Sequence, residues 1–140
     1  MALNVTQAEQ MLKSAVRKAE EIGVPVHIAI LDAGAHLKAF LRMDGAILAS
    51  LDVALKKAKT AVLFEMNSEA VRDYLKPGAA AEGLELTNGV LVTFAGGIPI
   101  KSATGEILGA IGVSGGAVPQ DFEIASAGLG AYQTSSSTTQ

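Results

Sequence analysis

The sequence has no cysteine and no tryptophan, and aromatic residues make up 4% of its 140 residues. The absence of cysteine excludes disulfides, thiolate nucleophiles, iron–sulfur clusters and zinc held by thiolates. The scarcity of aromatic side chains leaves few platforms on which bases or sugar rings could stack. Chemistry in this chain therefore depends on hydroxyls, imidazoles, amines and carboxylates.

An excess of basic charge is also missing. Eleven Lys and Arg residues stand against fourteen Asp and Glu residues, which gives a formal net charge of −3. Because no basic stripe exists to neutralise phosphates, we expect no nucleic-acid partner. No run of about 18 apolar residues occurs, so we expect no membrane span. The first residues lack the pattern of a signal peptide, which predicts a cytoplasmic protein.

The composition is that of one folded domain. Hydrophobic residues make up 49% and charged residues 18% of the chain, a mixture that can bury a core. We predict a single domain over residues 1–133. Residues 134–140, which are Ser, Thr and Gln, are predicted to form a flexible polar tail.

Apolar periodicity and turn residues divide the domain into helices and strands. The predicted helices are residues 6–22, 47–62, 68–75 and 119–132, and the predicted strands are residues 25–31, 36–41, 90–94, 98–100 and 107–113. Thr6 with Glu9 has the spacing of a capping box, and Ser68 is placed to cap the third helix. Hairpin connections favour an antiparallel sheet, and amphipathic helices must cover both of its faces. The sequence thus predicts an α/β domain of the α+β type with three layers, α/β/α.

The two histidines lie on the first predicted hairpin. We place its tip at residues 33–34, so that His27 faces Phe40. In the same register Leu31 faces His36. The histidines are then roughly 13 Å apart at ~3.3 Å per residue, too far to share a metal ion. Since no zinc-binding spacing of histidines occurs either, we predict no metal site, a half-buried structural His27 and a more exposed His36 that could meet a ligand.

Charged residues beside the apolar segments are candidates for ligand contacts. Lys56 and Lys57 have the positions of solvent-facing residues on the second helix, whereas Lys59 lies at the edge of its apolar stripe. A lysine there could meet a carboxylate or propionate, or it could be a surface lysine with a buried stem. Asp44 lies in a turn close to Arg42, where it could cap the backbone or form an ion pair.

Glycine is unevenly distributed, with nine of 15 glycines after residue 95. The pairs Gly96-Gly97 and Gly115-Gly116 allow close backbone approach or a positive φ. The segment around Ser114 matches the Gly-x-Ser-x-Gly pattern of serine hydrolases, but no His follows it, so the usual order of the triad fails. Tight packing between subunits is the better interpretation of these glycines.

Several segments, taken together and in order, resemble one family. They are Gly23-Val-Pro-Val-His-Ile-Ala-Ile-Leu-Asp-Ala-Gly-Ala-His-Leu37, Arg42-Met-Asp-Gly-Ala46, Lys59-Thr-Ala61, Gly96-Gly-Ile-Pro-Ile100, Gly105-Glu-Ile-Leu-Gly-Ala-Ile-Gly-Val-Ser-Gly-Gly116, Gln120-Asp121 and Ala127-Gly128. With these motifs the chain resembles the GlcG/HbpS-like family over about residues 6–132. Members of that family include the haem-binding HbpS and the C-terminal domain of PduO.

The resemblance implies a profilin-like fold, a five-stranded antiparallel sheet with helices on both faces, in a homo-oligomer that is typically an octamer. It also implies a small-molecule ligand, since some members bind haem and others lie in catabolic operons. Residues 83–89 resemble the HbpS region where a threonine oxygen meets the haem iron, which makes Thr87 the candidate ligand. The early Glu-x-x-Glu metal motif of HbpS has no counterpart in the first helix here.

The first functional hypothesis is a small-molecule binding protein that holds haem or another tetrapyrrole at a subunit interface. Thr87 or His36 would offer the axial atom to the iron. Arg42 or Lys59 would pair with the propionates. The remaining candidate contacts are Phe64, Leu84 and Asn88.

The second hypothesis is a cofactor-free catabolic enzyme, a lyase, hydratase or isomerase, that acts on a small organic acid. Arg42 or Lys59 would hold the carboxylate. His36 or Asp44 would transfer protons. A third hypothesis is an accessory subunit that only builds the oligomer, which the many glycines and alanines would suit.

Overall fold

The computed structural model describes residues 2–138 and the side chains of residues 2–133. The helices are α1 (Val5–Ile22), α2 (Ser50–Phe64), α3 (Ser68–Leu75) and α4 (Val118–Thr138). The strands are β1 (His27–Asp32), β2 (Leu37–Arg42), β3 (Gly97–Lys101) and β4 (Ile107–Ser114). A short 3₁₀ helix, Leu84–Leu86, lies between α3 and β3. Within the described residues, no helix has the length and apolar character needed to cross a membrane.

The strands form one antiparallel sheet in the order β2-β1-β4-β3. The α+β class and the antiparallel sheet are confirmed, but the expectation of five strands is wrong, because the described residues form four. The missing strand is the one predicted at residues 90–94. Val90 has a φ of +75°, outside the β region. The N–H of Val92 donates to the Thr60 hydroxyl at 3.1 Å instead of to a neighbouring strand.

Helices cover both faces of the sheet. α1 and α4 pack against each other and on the face that carries larger side chains. The strand residues of that face are Ile28, Ile30, Ile98, Ile100, Ile111 and Val113. α2 packs on the opposite face, where Ala29 and Ala110 are among the side chains it meets. The domain therefore has three layers, with its larger core under α1 and α4.

The face under α2 carries glycine because the helix lies very close to the sheet. A Cβ added to Gly112 would overlap the carbonyl oxygen of Ala54, and one added to Gly97 would overlap that of Lys57. Both obstructing atoms are backbone, so they could not move without shifting the helix. Tight packing at these glycines is thus found within the subunit.

The β1–β2 hairpin pairs His27 with Arg42. The expected pairing of His27 with Phe40 is therefore wrong by two residues. One residue of this offset arises at a β-bulge between Ile30 and Leu31, and the other arises in the turn, where the Asp32 carboxylate accepts the N–H of His36 at 3.0 Å. Such a side-chain-to-backbone bond stabilises a turn, and it keeps His36 at the tip instead of in β2.

The helix starts also differ from the sequence expectations. Asn4, not Thr6, caps α1, because its side chain accepts the N–H of Gln7 while the Gln7 side chain accepts the N–H of Asn4. Ser68 begins α3 without capping it. Its hydroxyl instead donates to the carbonyl of Phe94 at 2.7 Å, which anchors the irregular segment before β3.

The last helix is longer than the sequence predicts. The pattern ends it at residue 132, whereas α4 reaches Thr138. The flexible tail predicted over residues 134–140 therefore overlaps the end of α4. Its last two residues lie outside the described residues, and its flexibility stays a prediction.

Candidate functional site

Four of the sequence candidates come together where α2 faces the 3₁₀ helix and the loop that follows it. The Lys59 ammonium donates to the carbonyl oxygen of Asn88 at 2.8 Å. The Thr87 hydroxyl donates to the carbonyl of Leu84 at 2.7 Å and accepts from the Asn88 amide at 3.1 Å. Lys59, Leu84, Thr87 and Asn88 thus form one hydrogen-bonded cluster.

The loop that carries this cluster has an unusual backbone, and we call residues Thr87, Asn88, Gly89 and Val90 the 87–90 loop. The last three have φ values of +54°, +72° and +75°. Glycine and asparagine tolerate this region, but a β-branched valine there is strained. The Val90 N–H donates to the carbonyl of Thr87 at 3.0 Å and closes the loop. An exposed segment held in a costly conformation is typical of a functional site.

Lys59 also lines an apolar groove between the β1–β2 hairpin and α2, which we call the hairpin groove. The groove has a volume of about 240 Å³. Its lining residues are Leu31, Ala35, Leu37, Asp52, Leu55, Lys56 and Lys59. The charge of Lys56 is compensated by Asp52, 3.1 Å away. Among the described residues no carboxylate lies within ion-pair distance of Lys59, whose side chain lines the groove while its ammonium is held at the Asn88 carbonyl.

The other sequence candidates lie elsewhere. The side chain of His36 is 83% exposed, and it lines a pocket of about 430 Å³ at the hairpin tip together with Glu106. Arg42 and Asp44 line a different pocket, of about 410 Å³, between α1 and β2. Phe64 is the last residue of α2 and is half-buried. The structure thus places the proton-transfer candidate His36 apart from Arg42 and Asp44.

Sequence reasoning missed the role of Lys57. The pattern places it on the solvent face, which is wrong, because its side chain is 0% exposed. Its ammonium donates to the Val113 carbonyl at 2.9 Å and to the Asp121 carboxylate at 3.0 Å, and it lies 5.2 Å from the centre of the Phe94 ring. Burial lowers the pKa of Lys57, and the Asp121 carboxylate opposes that shift. This buried ion pair joins α2 to α4 beside the end of β4.

Two features of the sequence point to this ion pair. Lys57 shares its helical stripe with the buried residues Ala54 and Ala61. A double glycine also stands beside it: a Cβ added to Gly96 would lie 2.8 Å from the Lys57 ammonium. A lysine that shares a helical stripe with alanines, in a chain with paired glycines elsewhere, is a signal of burial that its charge concealed.

His27 is fully buried, so the expectation of a half-buried residue is wrong. Its Nε2 lies 2.9 Å from the carbonyl oxygen of Ile47, so Nε2 carries the proton of this hydrogen bond. Its Nδ1 is buried without a partner in the described part of the chain, and its ring packs against Phe40. His27 therefore holds the segment before α2 in place. No group of three or more His, Cys, Asp or Glu residues that could hold a metal ion occurs among the described residues.

Comparison with known proteins gives consistent relatives. A family model described as "Haem degrading protein HbpS-like" matches residues 3–130. An uncharacterized 15.0 kDa protein in the dhaT-dhaS intergenic region of Citrobacter freundii is 37% identical over 131 residues, which cover 93% of this chain and 92% of that protein. The corrinoid adenosyltransferase PduO of the same organism is 40% identical over 132 residues, which cover 94% of this chain but 39% of PduO. The crystal structure of a PduOC:heme complex has 38% identity and a TM-score of 0.89, and the match covers 94% of this chain and 95% of that one.

Proposed function

This chain belongs to the HbpS-like family, and we propose that it binds haem or another planar tetrapyrrole through the cluster around Thr87 and Lys59. The observation that carries the proposal is this cluster, in which the Lys59 ammonium on α2 is bonded to the loop that carries the Thr87 hydroxyl, beside the half-buried Leu84. A relative of similar fold, PduOC, has been crystallised as a haem complex. That relative's ligand supports the proposal because the match covers nearly the whole of both chains.

The Thr87 hydroxyl would be the group that contacts the iron of a bound haem. A hydroxyl has one proton and two lone pairs. Here the proton is donated to the Leu84 carbonyl and one lone pair accepts from Asn88, which leaves the other for an iron ion. The bound haem would supply a redox-active iron centre. The exposed imidazole of His36 is the second candidate, but it does not belong to the same cluster.

Lys59 would pair with a propionate, because its ammonium stands beside Thr87 and meets a neutral carbonyl in the described chain. Arg42 was the other propionate candidate, and its position at the end of β2 places it in a separate pocket. Leu84 would contribute apolar contact. The proposed binding residues in the cluster are therefore Thr87, Lys59, Asn88 and Leu84.

The proposal includes a second subunit as part of the site. The hairpin groove, at about 240 Å³, falls below the roughly 300–1,000 Å³ of sites for drug-sized ligands. One subunit therefore forms only one wall of a macrocycle site and does not enclose the ligand. Exposed apolar residues lie near this wall, with Leu86 76% exposed and Val90 46% exposed. We propose a cytoplasmic homo-oligomer, an octamer of profilin-like subunits, in which a neighbouring copy closes the site.

The test is an absorbance titration of the purified protein with hemin, against hemin in buffer. The proposal requires a saturable shift of the Soret band at a fixed ratio per subunit. Thr87→Ala should change the position of the band, because the axial oxygen is lost. Thr104→Ala is the matched control, since Thr104 is also an exposed threonine with a local hydrogen bond, in its case to the Ser102 hydroxyl. A flat titration, or a spectrum that Thr87→Ala leaves unchanged, would contradict the proposal.

A further inference from the structure

Lys59 lines the hairpin groove and also donates to the 87–90 loop, and this connection suggests a ligand. From it we infer that the groove binds a short apolar monocarboxylic acid whose carboxylate takes Lys59 from the Asn88 carbonyl and thereby releases the 87–90 loop. The inference goes beyond haem binding and does not depend on it, because it uses a ligand small enough for a single subunit.

The first argument is the chemistry of the groove. Its walls are the aliphatic side chains of Leu31, Leu37 and Leu55, which favour an alkyl chain. Its volume of about 240 Å³ limits that chain to a short one. A lysine at the rim adds a point of positive charge for one carboxylate. Together these properties match an apolar acid better than a neutral apolar molecule or a sugar.

The second argument is the present partner of Lys59. Its ammonium meets a neutral carbonyl oxygen, that of Asn88, at 2.8 Å. Hydrogen bonds between charged groups are stronger than those between an ammonium and a neutral acceptor. A carboxylate that enters the groove therefore competes effectively for Lys59. Because the ammonium is held at the loop while the groove is lined by aliphatic groups, we expect the side chain to leave the Asn88 carbonyl when it turns toward a carboxylate in the groove.

The third argument is the strain in the loop that Lys59 holds. Val90 has a φ of +75°, and it follows two other residues of positive φ. A β-branched residue in this region relaxes when the restraint on it is removed. Displacement of the Asn88 carbonyl removes one such restraint. Ligand entry and loop release are thus coupled through one hydrogen bond.

The experiment uses the full chain without hemin and hexanoate as the probe, with binding measured by calorimetry. We expect saturable binding of hexanoate that weakens at least about tenfold in Lys59→Met, because a charge-assisted hydrogen bond is lost. Lys13→Met, which removes an exposed lysine on α1, is the matched control and should leave the affinity unchanged. Hexanol should bind more weakly than hexanoate, because it lacks the charge.

The coupling has its own readout, the hydrogen exchange of the Val90 amide. In the free protein this N–H donates to the Thr87 carbonyl at 3.0 Å. Hexanoate should speed its exchange, and Lys59→Met should do so without any ligand. If hexanoate shows no saturable binding at concentrations up to about 10 mM, its affinity is negligible and the inference is overturned. Equal binding by wild type and Lys59→Met, or by hexanol and hexanoate, would overturn it as well. None of these results bears on the hemin titration.

Discussion

Lys57 and Lys59 stand two residues apart on α2, yet they lie in opposite environments. Lys57 is fully buried and paired with Asp121, and its contacts join α2, β4 and α4. Lys59 lies at the rim of a groove and holds a strained loop through a neutral carbonyl. The comparison teaches that burial and the partner, and not the residue type, decide whether a lysine stabilises the fold or remains available to a ligand.

The largest expected effect comes from breaking the buried pair. Asp121→Ala leaves the Lys57 ammonium without its counter-charge, and we expect a loss of about 3–5 kcal/mol in the free energy of unfolding. Chemical denaturation followed by circular dichroism measures it. Adding Lys57→Met to the same chain should recover part of the loss, since no buried charge then remains. A change below about 1 kcal/mol in Asp121→Ala would show that Lys57 is not held as described.

A smaller effect is expected when the space around Lys57 is filled. Gly96 has a φ of +132°, and a Cβ added to it would lie 2.6 Å from the Val113 oxygen and 2.8 Å from the Lys57 ammonium. Gly96→Ala should therefore lower the free energy of unfolding by about 1–3 kcal/mol. Gly130→Ala is the control, because a Cβ there meets nothing within 4 Å. Equal effects of the two substitutions would refute the explanation given for the paired glycines.

The smallest effect on stability is expected at Lys59. Its side chain is partly exposed and its described bond joins it to a surface loop, so Lys59→Met should change the free energy of unfolding by less than about 1 kcal/mol. The same denaturation curves as for the Asp121 variant provide the measurement. A loss as large as that of Asp121→Ala would place Lys59 in the structural framework and remove its contrast with Lys57.

The helices and the antiparallel sheet could be predicted because their signals are local. Apolar periodicity marked α1 and α2, and Asp32 with Gly34 marked the first turn. The register of the hairpin could not be predicted, because it depends on a β-bulge between Ile30 and Leu31 and on the bond between the Asp32 carboxylate and the His36 N–H. The segment at residues 90–94 has the composition of a strand. Its positive φ at Val90 and its bond to Thr60 on α2 arise from tertiary contacts.

The candidate site was predictable in its parts but not in its assembly. The resemblance to the family indicated Thr87 and Asn88. The position of Lys59 at the edge of the apolar stripe of α2 indicated that residue. Their contact spans 29 positions of sequence, and no local pattern encodes it. Lys57 was misplaced because a charged residue is ordinarily assigned to solvent, although its helical position lies on the stripe of Ala54 and Ala61. A buried lysine becomes acceptable once a distant carboxylate, here Asp121, is brought to meet it.

The most direct test of the central claim is a hemin titration of the double variant Thr87→Ala with Lys59→Met beside the wild-type protein. Both side chains lie in one cluster away from the buried ion pair, so the double variant should fold normally. The account requires a saturable Soret shift in the wild type and its loss in the double variant. A double variant that binds hemin as the wild type does would contradict the assignment of the site to this cluster.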